Sequence, residues 1–343
     1  MSQNIFPVPM DVVGCADIFE RAHYYGIMRH PELFYVRSFC DVNEKLLQEF
    51  GARFQVRELY TNVADMLAAH NDGVVLNCTP TRAHAEVAVA ALNAKRHCLS
   101  EKPISMTLEE ADSMLEAARR NDRVLQLCFM SRYAPCWMKI KELLENNAIG
   151  KVMSISMTQY WDSGLELYGD WRTDASVSGG GIIADSAAHW VDIFRHLLGE
   201  IRSVAATGIP APDSPRQDVD DSSLALFNFD CGAIGLLRNS WRHKRPDNEA
   251  ETVEIYGTAG SIIGRLQTPW INGGIQSVKV VKADGNAEYT FNDPMARFAN
   301  QIAAFADVIE KRCPASAADG RRALEIQQTI YQAMKERRFV ELS

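Results

Sequence analysis

The chain has 343 residues, with 36 Lys+Arg against 44 Asp+Glu for a formal charge of −8, and it is 47% hydrophobic and 23% charged. One hydrophobic core rarely grows past about 250 to 300 residues, so this length calls for two domains and excludes a single small one. The acidic balance, without any Lys/Arg-rich run, speaks against nucleic acid or an anionic membrane as a partner. No stretch approaches the roughly 18 apolar residues of a membrane span, and the first residues lack the charged and apolar regions of a leader, so a cytoplasmic protein is expected. The eight cysteines are scattered without a C-x-x-C pair, and several lie inside apolar runs. That is the pattern of buried free thiols rather than of disulfides or zinc.

The first strand reads Met10 to Gly14, with a late start because Pro7 and Pro9 suit a central parallel strand poorly. A helix follows from Ile18. Strands at 33–41, 73–80, 96–100 and 123–129 then alternate with helices at 43–51, 83–94 and 107–120. This alternation predicts an α/β domain over residues 1–128, a parallel sheet with crossover helices. Thr107 and Glu110 form a T-x-x-E capping box, and Thr81 is placed to cap the helix after it.

Beyond residue 150 the texture changes, because apolar Met153, Ile155 and Met157 alternate with Ser154, Ser156 and Thr158. Period two means a sheet with one covered face. Further strands at 223–229, 233–241, 252–257 and 277–283, separated by Gly and Asp-Gly turns, predict an open, mainly antiparallel sheet in an α+β domain over 129–343. Two helices close the chain, with apolar stripes Phe298, Ile302, Phe305, Ile309 and Ala323, Ile326, Ile330, Met334. They are candidates to pack back on the first domain.

The first strand runs into Gly14-Cys15-Ala16-Asp17-Ile18-Phe19, where a dinucleotide fold shows G-x-G-x-x-G or G-x-G-x-x-A. Only the first glycine is kept. Small residues there let backbone amides and a helix N-terminus approach a pyrophosphate; Ala16 adds a methyl and Phe19 a large ring, so a plain strand-to-helix turn fits the motif equally well. Asp41 lies twenty-two residues beyond Phe19, close to the spacing of about 20 for an acid that accepts from an adenosine ribose. A carboxylate there repels a 2′-phosphate and favours NAD over NADP. Capping of the helix beginning near Asn43 is the competing role.

More specific motifs follow: Thr79-Pro80-Thr81-Arg82-Ala83-His84, Ser100-Glu101-Lys102-Pro103, Trp171-Arg172, the run from Gly179-Gly180-Gly181 through Asp185 and His189 to Asp192, then Val219-Asp220-Asp221-Ser222 and Glu254-Ile255-Tyr256-Gly257. In this order, and over nearly the whole chain, the sequence resembles the Gfo/Idh/MocA family of glucose-fructose oxidoreductase, inositol dehydrogenase and their relatives. The resemblance implies a Rossmann domain that holds NAD(P). It also implies a second domain whose open sheet carries the substrate side and an oligomer interface, giving a homodimer or homotetramer. The reaction it implies is oxidation or reduction of a secondary hydroxyl on a sugar or cyclitol, with Lys102, Asp185 and His189 around the reacting carbon. Cofactor contacts are expected at Gly14, Ala16, Asp17, Ile18, Asp41, Thr79, Pro80, His84, Glu101 and Lys102. Tyr160, Trp161, Trp171 and Arg172 are expected to face the sugar, because flat rings pack on C–H faces and guanidinium donates to hydroxyls.

The chemistry needs these groups for separable reasons. An alcohol is a very weak acid, so a proton acceptor must accompany hydride departure, and the imidazole of His189 suits that exchange. The Lys102 ammonium can stabilise developing alkoxide charge. Asp185, one helical turn before His189, can orient the ring or a second hydroxyl. Asp185, His189 and Asp192 are a poor zinc set, so no metal is expected. Two other readings stay open: a redox-neutral sugar lyase or glycosidase that holds NAD throughout, and a sugar or NAD sensor without turnover, which the altered glycine turn would suit.

Overall fold

In the computed structural model of the chain, the described residues are 6–160, 171–243, 251–266, 276–293, 295–311 and 316–342. They fall into two units, the first running to Phe129 and resuming over Phe298–Leu324, the second comprising Met130–Arg297 and the chain from Glu325 onward.

The first unit is built on six parallel strands, β1 (Val8–Val13), β2 (Phe34–Cys40), β3 (Glu58–Tyr60), β4 (Val74–Asn77), β5 (His97–Ser100) and β6 (Leu125–Leu127), in the order β3-β2-β1-β4-β5-β6. Reversal of strand order between β1 and β4 opens a crevice at the carboxyl ends of the strands, where such folds take their ligands. Every residue of β4 and β6 is buried, as expected of strands covered on both faces. β1 begins at Val8 rather than at Met10, with Pro9 inside it. The missing N–H costs nothing there: Val8 bonds toward β2, so Pro9 faces the β4 side, and that ladder opens only at Met10.

Local signals set the helices α2 (Glu44–Phe54), α3 (Val63–Ala69), α4 (His84–Asn93) and α5 (Leu108–Asn121). The side chains of Asn43 and Asn62 cap α2 and α3, and the capping box of Thr107 and Glu110 opens α5. Thr81 does not cap α4; the chain first makes a 3-10 turn over Thr81–Ala83, which takes Thr81 inside it, and Ala83 stands at the cap. The glycine turn leads into a π-helical turn, Phe19–His23, that continues as α1 (Tyr24–Met28). Phe19 is fully buried there, with Phe39 and Phe54 edge-on at 5.1 and 5.2 Å. In α10 (Ala296–Lys311) the stripe from Phe298 to Ile309 is buried, and the Phe305 ring stacks on Phe34 at 5.7 Å.

The second unit carries a nine-stranded sheet in the order β14-β13-β12-β11-β7-β10-β9-β8-β15. Its strands are β7 (Val152–Tyr160), β8 (Ile201–Ile209), β9 (Ser222–Phe229), β10 (Ile234–Ser240), β11 (Glu251–Gly257), β12 (Gly260–Leu266), β13 (Gln276–Lys282), β14 (Gly285–Phe291) and β15 (Val340–Glu341), antiparallel except for the β7–β10 pair. Burial alternates strictly along β9 and β11, as the sequence pattern requires. Helices α6 (Pro135–Glu145), α7 (Ala175–Ser178), α8 (Ile182–Asp185), α9 (Ala187–Leu198) and α11 (Ser316–Glu336), the last divided between the units at Leu324, complete the architecture. α6 packs on β12–β14 and α8 and α9 on β10. Six cysteines are buried free thiols, whereas Cys231 is exposed and Cys313 lies outside the described residues.

Glu251 opens β11 with only 3% of its surface exposed. Burial pushes its carboxyl up from the ordinary 4.5 to about 7, against the pull of Arg297. A carboxyl whose pKa is raised by folding binds its proton more tightly in the folded chain, so stability is lost as pH climbs from 4.5 through 7. Glu251→Gln removes that penalty. Denaturant titration is expected to show a gain of about 3 kcal/mol at pH 8, vanishing near pH 4.5; an equal gain at both pH values would refute this account.

Candidate active site

In the first unit the predicted nucleotide residues gather at the carboxyl ends of β1, β2, β4 and β5. Gly14 takes φ +92°, and a Cβ there would come within 2.7 Å of the Cys78 carbonyl carbon, so only glycine lets β1 pass β4 at this point. The helical segment opens at Asp17, whose side chain is exposed and paired with Arg21, and Ala16 and Ile18 are half-buried. The first N–H groups of a helix have no partner within it, so this turn presents donors to an anion. Asp41 faces the turn: Oδ2 accepts the Cys15 N–H at 2.7 Å and Oδ1 the Asn43 N–H at 2.8 Å. The cap of α2 is Asn43, which frees Asp41 from that role.

Around β4 and β5, the Asn77 side chain accepts from the Thr79 hydroxyl at 2.7 Å and donates to the Ser100 hydroxyl at 3.2 Å, tying the two strand ends together. Pro80 is exposed. His84 is 1% exposed, with Nδ1 2.7 Å from Pro103 O and Nε2 2.9 Å from Thr79 O. Its ring sits between the Thr79 and Pro103 carbonyls and donates to one of them, and burial holds its pKa below the ordinary value. Lys102 is half-buried beside the buried Glu101, whose Oε1 lies 2.7 Å from Nε2 of His23. Sequence reasoning missed His23; its only signal was an imidazole one turn after Phe19 on an apolar helix face.

The second unit carries Asp185 at the end of α8 and His189 in the first turn of α9, joined through Ser186 in helical geometry. Asp185 is half-buried and His189 is 8% exposed. The preceding glycines serve the chain itself. Gly179 caps α7 at φ +88°, while a Cβ on Gly180 would meet the Tyr331 hydroxyl at 2.1 Å and one on Gly181 the Asp220 carbonyl oxygen at 2.1 Å. Asp220 is the hub: its carboxylate accepts N–H groups from Gly181 at 3.1 Å and Ile183 at 2.9 Å and the Tyr331 hydroxyl at 2.8 Å. Burial pushes its pKa up to about 6, with those donors pulling down. Gln327 donates to the carbonyls of Ile183 and Ala184 at 2.6 and 2.9 Å, fixing the same turn. Asp192 is fully buried and takes the Arg132 guanidinium on both oxygens, a structural pair rather than a metal ligand.

Trp171 and Arg172 form a 3-10 turn, with the guanidinium 4.8 Å from the indole centroid. Tyr160 is on the wrong face of the sheet for the role expected of it. It shares the phase of Ser154, Ser156 and Thr158 and lines a pocket of about 260 Å³ with Arg238, Glu254 and Arg265 on the uncovered side, while α8 and α9 pack on the other. The strand's own alternation assigns the covered side to Gln159, which is 7% exposed. Trp161 lies outside the described residues.

Residues 10–129 match a family model described as an oxidoreductase family, NAD-binding Rossmann fold, and residues 137–263 match the GFO/IDH/MocA C-terminal domain. The chain belongs to the GFO/IDH/MocA oxidoreductase family, and its first unit is that family's NAD-binding domain. It is 30% identical over 257 residues to a levoglucosan dehydrogenase of Pseudarthrobacter phenanthrenivorans, covering 68% of this chain and 65% of the relative. It is likewise 30% identical over 229 residues to a myo-inositol 2-dehydrogenase of Thermotoga maritima, covering 66% of each. The match thus spans just under two thirds of the length of either relative. A solved structure of levoglucosan dehydrogenase in complex with NADH superposes with a TM-score of 0.85 at 25% identity, over 98% of this chain and 99% of that one. No helix among the described residues is long and apolar enough to cross a membrane.

Because Asp220 is the shared acceptor for the turn and for α11, Asp220→Ala strands the Ile183 N–H and the Tyr331 hydroxyl together and leaves the Gly181 N–H only its bond to that hydroxyl. Denaturant titration is expected to show a loss of about 2–4 kcal/mol, and a loss under 1 kcal/mol would show that the turn holds without it.

Proposed function

We propose that the protein is an NAD-dependent oxidoreductase acting on a secondary hydroxyl, or the matching ketone, of a sugar, sugar derivative or cyclitol. The observation that carries this reading is the pairing of residue sets within one chain: Gly14 and Asp41 at the β1–β4 switch of a Rossmann sheet, and Asp185 and His189 on a helical turn fixed by Asp220. The residues fit the cofactor. The turn Gly14–Ile18 would hold its pyrophosphate, Asp41 its adenosine ribose, and Thr79, Pro80 and Glu101–Lys102 would border the nicotinamide side. NAD, when bound, supplies the hydride acceptor.

His189 takes the proton from the substrate hydroxyl in the oxidative direction and returns it in reduction. Lys102 donates a hydrogen bond to the same oxygen and stabilises its developing negative charge. Asp185 orients the imidazole or a neighbouring hydroxyl. Trp171 and Arg172 are the sugar-facing pair that remains, since Tyr160 belongs to the opposite face. Burial of Phe19 among its aromatic neighbours weighs against a sensor without turnover, because the ring that alters the glycine motif is kept inside the core. Retention of a proton acceptor weighs the same way.

The test is spectrophotometric. Wild-type protein given NAD with myo-inositol, levoglucosan or related polyols should form NADH, and His189→Ala should lose at least roughly 100-fold in kcat while still binding NADH in calorimetry. Steady turnover in that variant would sink the assignment, and product formed without net NADH would favour the redox-neutral reading.

The uncovered sheet face supports self-association. Leu224, Leu226, Ile234 and Tyr256 lie on it with 45, 48, 58 and 42% of their surfaces exposed, an apolar patch of the kind that marks an interface. A second copy of this chain is the proposed partner, as a homodimer or homotetramer. Light scattering should give the monomer mass for the double variant Leu226→Asp, Ile234→Asp and a multiple of it for the wild type; the same mass for both would exclude this face.

A further inference from the structure

We infer that His23 is a positioning residue for Lys102, acting through the buried carboxylate of Glu101; the inference rests on the catalytic reading of Lys102 given above. His23 closes the π-helical turn with 1% of its surface exposed, and its Nε2 stands 2.7 Å from Glu101 Oε1. The Cys128 thiol, just past β6, hydrogen-bonds the same carboxylate. Oε2 of Glu101 accepts the backbone N–H of Lys102 at 3.2 Å. The carboxylate is therefore a junction where the π-helical turn and the ends of β5 and β6 meet, and the peptide that bears Lys102 hangs from it.

A carboxylate with 12% of its side chain exposed still needs donors around it. The imidazole presents Nε2 to the carboxylate at 2.7 Å. Nδ1 of His23 is buried without a hydrogen-bond partner, which puts the proton on Nε2. His23 leaves one nitrogen bare and commits the other to the residue next to Lys102. The ligand-type atoms of His23, Glu101 and Cys128 lie within 4.8 Å of one another, a spacing that also suits a metal ion. Two observations favour donors over ligands: the 2.7 Å separation of His23 Nε2 and Glu101 Oε1 is that of a direct hydrogen bond, and burial holds the Cys128 thiol well above its ordinary range. Without the ring, the carboxylate loses its firmest restraint and the Lys102 N–H its fixed acceptor.

Amide hydrogen exchange, read residue by residue on the full-length protein, decides the point. In His23→Ala the Lys102 amide is expected to exchange roughly 10- to 100-fold faster than in the wild type. The amides of Glu101 and Cys128, bonded to the carbonyls of Asn77 and Ser100, should keep their protection, and His23→Gln, which restores a donor, should recover most of the difference. On a polyol that the wild type oxidises, the same variant should lose kcat with KM little changed. Unaltered protection of Lys102 in His23→Ala overturns the inference. So does an equal loss of protection across β4, β5 and β6, the result of a merely structural role. Should His23→Ala fail to fold, His23→Asn, whose amide is too short to reach, is compared with His23→Gln instead: faster exchange confined to Lys102 in the Asn variant supports the inference, and unchanged or general exchange overturns it. Wild-type turnover in Lys102→Ala would remove the catalytic reading of the lysine, while the exchange data would still say whether His23 holds its peptide.

Discussion

A carboxylate removed from water has to be surrounded by donors, and in this protein that requirement shapes the surroundings of Lys102 and of the turn that leads to Asp185 and His189. Glu101 collects an imidazole, a thiol and a peptide N–H; Asp220 collects two peptide N–H groups and a phenol. Asp11 does the same inside β1, taking the guanidinium of Arg37 on both oxygens and the hydroxyl of Ser38. Glu101 and Asp220 sit where several elements end, so satisfying them also sets how those ends lie, whereas Asp11 ties β1 to β2 within the sheet. Burial of charge contributes little net stability of this kind; what it contributes is a single arrangement, because any other leaves donors and acceptors apart.

Most of the fold was legible because the elements obey local rules. Alternation of short apolar runs with amphipathic helices gave the parallel sheet, and the Thr107–Glu110 box marked where α5 begins. The less legible features depend on partners far along the chain. Pro9 argued for a late strand start, yet the residue lies beside a ladder that has not begun, a fact set by where β4 starts. Thr81 had the right residue type for a cap, but an intervening 3-10 turn moved the cap to Ala83.

The candidate site divides in the same way. Lys102, Asp185 and His189 are proposed from motifs, whereas the residues packed around them carry no motif, since His23 and Glu101 are separated by 78 positions and Tyr331 and Asp220 by 111. Tyr160 differs again: the period-two pattern that identifies β7 itself assigns Gln159 to the covered face, and strand phase, not the suitability of an aromatic ring for a sugar, decides which side a residue serves. Phe19 is the opposite case. Its bulk looked incompatible with a glycine motif, but the residues that receive it, Phe39, Phe50, Phe54 and Tyr24, come from the following strand and helices and make the exchange self-consistent.

The first unit is assembled from two separated stretches of chain, and this has a consequence for biosynthesis. Its core contains Met10, Phe34 and Leu76 together with Ile302, Phe305 and Ile309. Synthesis runs from the N-terminus, so the whole of Met130–Arg297 leaves the ribosome before the strands of the parallel sheet receive their last covering helix. During that interval the apolar surface around Phe34 is open, and the nascent Rossmann sheet is the part of the chain that most needs shielding by a chaperone.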